Sequence, residues 1–94
     1  MLEKFEARIL AQIDDMVEYA DADNLFASGY LCGHVTLAVA QAKKHGEHSV
    51  EQLDIRVKRS LEKAVKAGEL SPPDQRLVFN MWHYLLHQAQ HEER

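Results

Sequence analysis

Residues 27–42 read ASGYLCGHVTLAVAQA. Extended back to Leu25, the run passes roughly eighteen residues without an Asp, Glu, Lys or Arg. A helical run of that length and character is either a membrane span or the central helix of a soluble domain, and the choice decides the fold. Its polar content speaks against a span, because Ser28, His34, Thr36, Gln41 and two glycines fall inside it. The segments around it decide the matter. Each is amphipathic and needs an apolar surface to bury against, and a span would leave all of them without one. The run therefore reads as the core helix of a bundle, apolar nearly all round and buried on most sides.

Toward the N-terminus, Leu2, Phe5, Ile9, Ile13, Met16 and Ala20 recur at steps of three and four, while Lys4, Arg8, Asp14, Asp15 and Glu18 hold the opposite face. That pattern predicts a helix over about 2–20. The tetrad DADN at 21–24 is a boundary, with Asp21 or Asp23 suited to cap the next helix. The second helix then runs over about 24–44, and Gly46 supplies a left-handed stop. Ser49 and Gln52 form a capping-box pair that opens a third helix over about 49–67, with Leu53, Val57, Leu61, Ala64 and Val65 as its buried stripe and Gly68 at its end. Ser71, Pro72 and Asp74 then mark the start of a fourth helix over about 72–90. It turns Leu77, Val78, Met81, Trp82, Leu85 and Ala89 inward. No segment alternates like a strand. Short connections make sequential helices antiparallel neighbours. The prediction is an all-α, compact antiparallel four-helix bundle with a largely buried second helix, forming a single domain over 1–94.

Gly29 and Gly33 share one face of the second helix, and Ala40 continues it. Each helical glycine costs about 1 kcal/mol relative to alanine. The expected return is close approach of a neighbouring backbone or of a large side chain such as Trp82; the alternative is a bend or break between Ser28 and Gly33.

The 94 residues are 46% hydrophobic and 28% charged, with a net charge of −4. This is globular composition, and its acidity gives no general attraction to nucleic acid or to an anionic membrane. Cys32 is the one cysteine, which excludes an internal disulfide framework and fits a reducing compartment. The opening MLEKFE is charged and amphipathic, unlike a secretory leader, so the expected location is the cytoplasm.

The stretches FEARILAQIDDMV (5–17), LFASGYLCGHVTLAVA (25–40) and SLEKAVKAGELSPPDQ (60–75) together resemble the YfcL family of small bacterial proteins, in order and across nearly the whole chain. The resemblance implies a small, mainly helical, cytoplasmic bacterial protein, and it carries no catalytic residue across.

Among chemistry-bearing residues, Cys32 and His34 stand two apart, about 200° on a helix, so they cannot act as a nucleophile–base pair. Tyr30 and His34 are neighbours on the wheel, within reach of a hydrogen bond. A site around Tyr30, Cys32 and His34 is the reading that makes the protein a small-molecule binder or minor enzyme. His83, His87 and His91 repeat every four residues and are candidates for adventitious metal capture, without a carboxylate or thiol to complete a set. No cofactor motif is present. Arg56, Arg59, Lys63 and Lys66 line the third helix opposite its apolar stripe, and Asp14, Glu18 and Asp21 form an acidic edge on the first. Aromatic residues are not interleaved with the cations, so nucleic acid is not the expected partner. The expectation is a protein–protein interaction or adaptor module, with the basic stripe as candidate surface, a protein partner or a second copy as ligand, and no membrane.

Overall fold

Asp21 sets where the long helix begins. In the computed structural model, which describes residues 2–91, its extended backbone (φ −74°, ψ 178°) stands just outside the helix and its carboxylate accepts the Asn24 N–H at 2.8 Å. Helix α2 therefore covers Ala22–Lys44, after α1 at Leu2–Val17 and before α3 at Val50–Lys66 and α4 at Pro72–His91. Residues 1 and 92–94 of the single expected domain lie outside the described set. The capping box of Ser49 and Gln52 is closed in both directions, and the Ser71 hydroxyl accepts from Asp74 N–H at 3.4 Å. Gly46 and Gly68 adopt φ of 69° and 78°. Each follows a helix whose last carbonyls are taken up by the next two N–H groups: Gly46 to Lys43 and Glu47 to Ala42, then Gly68 to Val65 and Glu69 to Ala64. The first helix ends at Val17, not at Ala20 as the periodicity suggests. Tyr19 closes its last turn on Met16, and the four residues up to Asp21 are needed to reverse the chain into the cap.

Cross-helix contacts establish an antiparallel order. Glu3 near the start of α1 meets Lys43 near the end of α2 at 3.3 Å. Between α2 and α3, Tyr30 reaches Glu69 and His34 reaches Ser60. Asp54 of α3 holds Trp82 of α4, and Gln12 of α1 donates to the Leu85 carbonyl of α4 at 3.3 Å. α2 and α4 each pack on all three other helices, with α1 and α3 to either side. The result is a slab of 33 × 30 × 16 Å. Its core holds Phe5, Ile9, Leu31, Val35, Leu53, Leu61, Val78, Trp82 and Leu85, all essentially inaccessible. Trp82 is the largest of these side chains, and its indole N–H donates to Asp54 Oδ1 at 2.7 Å, which removes the cost of burying it. Among the described residues, no buried polar side-chain atom lacks a partner.

The second helix is buried on one side rather than on most sides. Ala27, Ser28, Leu31, Val35, Ala38, Val39 and Ala42 face inward. Its outer side carries Ala22, Leu25, Phe26, Gly29, Gly33, Thr36, Leu37 and Ala40, all exposed. The reason is geometric. α1, α3 and α4 approach α2 from one half of its circumference, and a slab one side chain deep cannot enclose the rest. The expectation that a backbone or Trp82 fills the glycine face is corrected: a Cβ at Gly29 or Gly33 meets nothing within 4 Å. The helix also runs unbroken through both glycines. By length and composition α2 meets the measure of a membrane span, as the core helix of a soluble domain also can.

A candidate docking surface on α2 and α3

The basic stripe is divided by the structure. Arg56 is held by Glu47 across the α2–α3 turn, with Nε to Oε1 at 2.7 Å and the second nitrogen to Oε2 at 3.0 Å. That hydrogen bond keeps the Glu47 carboxyl below the ordinary carboxylate range. Lys66 lies toward α4, where it lines a groove of about 470 Å³ with Glu62, Val65, Gln75, Arg76, Phe79 and Asn80. Arg59 and Lys63 lie toward α2. With Leu37, Gln41, Arg56 and Ser60 they line a concavity of about 240 Å³ between the two helices. Of the four cations predicted as one surface, three therefore line the concavity beside α2, Arg56 among them with its charge tied to Glu47, and Lys66 faces another groove.

What the sequence reading missed is the surface that Arg59 and Lys63 border. Leu25, Phe26 and Leu37 are 46%, 45% and 53% exposed, on the same side of α2 as the two glycines. The uncharged strip runs from Leu25 to Ala40, about 22 Å at the helical rise of 1.5 Å per residue, with Asp23 just before it. Its signal was present as a full turn-by-turn absence of charge, but absence of charge alone cannot say which side faces inward.

Tyr30 and His34 sit on the α3 border of that strip. Their rings lie 4.7 Å apart, and Phe26 stacks on Tyr30 at 5.7 Å. Tyr30 donates to Glu69 Oε1 at 2.8 Å, and partial burial together with that carboxylate pushes its phenol up to about 12. His34 Nδ1 lies 2.6 Å from the Ser60 hydroxyl. Burial lowers its pKa, and the Glu69 charge opposes that shift. Ser60 and His34 form a nucleophile–base distance, yet both lie mid-helix, where backbone N–H groups are already bound within the helix and cannot cradle an oxyanion. Cys32 is half-buried and packs on the core, on another side of α2 from Tyr30 and His34. The arrangement suits a structural seam between helices.

His83, His87 and His91 are exposed along α4. His87 and His91 bring their Nε2 atoms to 2.9 Å with rings edge to face. Among the described residues no group of three or more His, Cys, Asp or Glu is placed to hold a metal ion.

Comparison of the sequence with known proteins finds relatives. The family model described as "YfcL protein" matches residues 3–87. A curated relative from Escherichia coli (strain K12), named "Uncharacterized protein YfcL", is 55% identical over 89 residues, covering 95% of this chain and 97% of its own length. No solved structure matches the chain.

Proposed function

The chain belongs to the YfcL family, and from that premise we propose that it is a cytoplasmic protein–protein interaction module, docking its partner on the outer face of α2 and the Arg59 and Lys63 edge of α3. One observation carries this reading: an exposed strip with no charge from Leu25 to Ala40, bordered by Arg59 and Lys63. Scattered exposed hydrophobes are ordinary, whereas a contiguous apolar patch with a polar rim is the pattern of a protein interface. The apolar strip supplies the area and the cations supply orientation and encounter rate.

The test is affinity capture from native lysate at low and at raised salt, with wild-type protein and two variants. Leu37→Asp breaks the strip, and Arg59→Glu with Lys63→Glu reverses its border. Both sites are exposed, so both variants should fold. The expected result is a partner recovered by wild-type protein, lost with Leu37→Asp, and weakened by the border variant and by salt. Equal recovery by all three proteins would return the strip and the cations to the role of solvated surface.

A further inference from the structure

The two long edges that flank the outer strip of α2 carry opposite charge. Glu3 pairs with Lys43, which fixes α1 on one side. Eleven residues along α1, three turns on, Asp14 returns to the Glu3 line, and Glu18 lies just past the C-terminal end of the helix. Both are exposed. Arg59 and Lys63 border the strip on the α3 side. The levels also agree. α1 runs antiparallel to α2, so Asp14 comes level with about residue 32 of α2. The contact of His34 with Ser60 brings Lys63 level with about residue 31. An acidic group and a basic group thus stand on opposite sides of the strip, both at the height of Gly33.

We infer that a second copy of the chain occupies this face, with the two α2 helices packed parallel through Gly29 and Gly33 about a two-fold axis that runs along them. The inference deepens the docking reading above and rests on it. A rotation about an axis along α2 exchanges left and right flanks, so each acidic α1 edge overlies the basic α3 edge of its partner. A rotation about the perpendicular in-plane axis would instead set acid on acid and base on base. Charge therefore selects the parallel arrangement. The glycines supply what a ridge needs for its flanks to meet. Both are mid-helix, each is unfavourable there, and a Cβ added at either would meet nothing within 4 Å in its own chain. Without side chains they let two backbones approach closely, which brings the flanking charges within reach. The broad face measures 33 × 30 Å, room for the roughly 800 Å² per partner of a standard interface.

The experiment is sedimentation equilibrium of the full chain across micromolar to millimolar concentration, at low and raised salt. Wild-type protein should show a monomer–dimer equilibrium that weakens with salt. Filling the notch with Gly29→Leu plus Gly33→Leu adds apolar surface, yet should weaken self-association about tenfold or more, because the backbones can no longer approach. Reversing one edge, by Asp14→Lys plus Glu18→Lys or by Arg59→Glu plus Lys63→Glu, should also weaken it about tenfold. Reversing both edges in one chain should restore it. A single monomeric species at every concentration overturns the inference, as does a dimer indifferent to the filled notch or to single-edge reversal. Lysate capture separates the two readings. A monomer that still loses a captured partner with Leu37→Asp overturns only the second copy, and a monomer that loses nothing overturns the docking face as well.

Discussion

The inner and outer faces of α2 are built from nearly the same residues and meet opposite fates. Inward are alanines, valines, one leucine and Ser28, whose hydroxyl returns to the Leu25 carbonyl at 3.0 Å. Outward are alanines, leucines, a phenylalanine, Thr36 and two glycines, all open to solvent. The difference between the faces is shape. The inner face presents β-branched and small side chains to three neighbours, and the outer face presents a notch between two apolar ends. Lack of charge makes a helix able to be buried; how many neighbours reach it decides how much of it is.

The largest expected effect tests the inner face. Leu31→Ala should cost about 2–5 kcal/mol in a denaturant titration, since Leu31 is fully inaccessible. Leu37→Ala on the outer face should stay within about 0.5 kcal/mol. Equal losses would erase the contrast between the two faces.

A polar contact within the core sharpens it next. Asp54→Ala removes the acceptor of the Trp82 indole and should cost about 1–3 kcal/mol, read from the unfolding midpoint. Asp54→Asn retains a side-chain oxygen and should recover most of that loss. Indifference to both changes would mean that burial of the ring alone sets its contribution.

Gly33→Leu should act in the opposite direction. Open space lies above its Cα, so replacing glycine removes a helix-propensity penalty without a clash. The monomer should gain about 0.5–1 kcal/mol by thermal melting at low concentration. A loss would show that something covers Gly33 even in the dilute protein.

The smallest effects lie on the border between α2 and α3 and follow pH. Glu47 is held below its ordinary 4.5 first by its hydrogen bond to Arg56, so its contribution is complete above that value and lost as pH falls through the lower folded value. His34 is held below 6.5 by burial, so the unfolded ring takes up its proton first and stability begins to fall as pH drops from about 6.5. Tyr30 is raised from 10.0 to about 12, so its contribution is full below 10.0 and lost between the two values. Melting temperature against pH should decline at both ends, with His34→Gln flattening the decline just below 6.5. A profile unchanged by that substitution would remove His34 from the acid limb.

Much of this fold was legible because its signals are local. Ser49 with Gln52, Ser71 before Pro72, and Gly46 and Gly68 each act within one turn, so four residues of sequence suffice to read them. Contacts that depend on the register between helices were not. Arg56 looked like one cation in a stripe, and only the return of the chain through the α2–α3 turn brings Glu47 to it. Asp54 gave no sign that it serves Trp82, 28 positions away. The candidate surface was half legible: the spacing of Arg59 and Lys63 set them on one line, while the strip beside them was assigned to the core. Uncharged residues on every side of a helix carry no information about which side is in, and the same ambiguity concealed the open space over the glycines.

The central place of α2 also bears on how quickly the molecule assembles. Connections of four or five residues join it to α1 and to α3, and it packs on both. Much of the native structure therefore forms between segments adjacent in the chain, closing short loops at little entropic cost. Local topologies of this kind fold in microseconds to milliseconds. Such speed limits the time for which the inner face of α2 lies open beside the outer one, when the helix would be apolar on every side and most prone to aggregate.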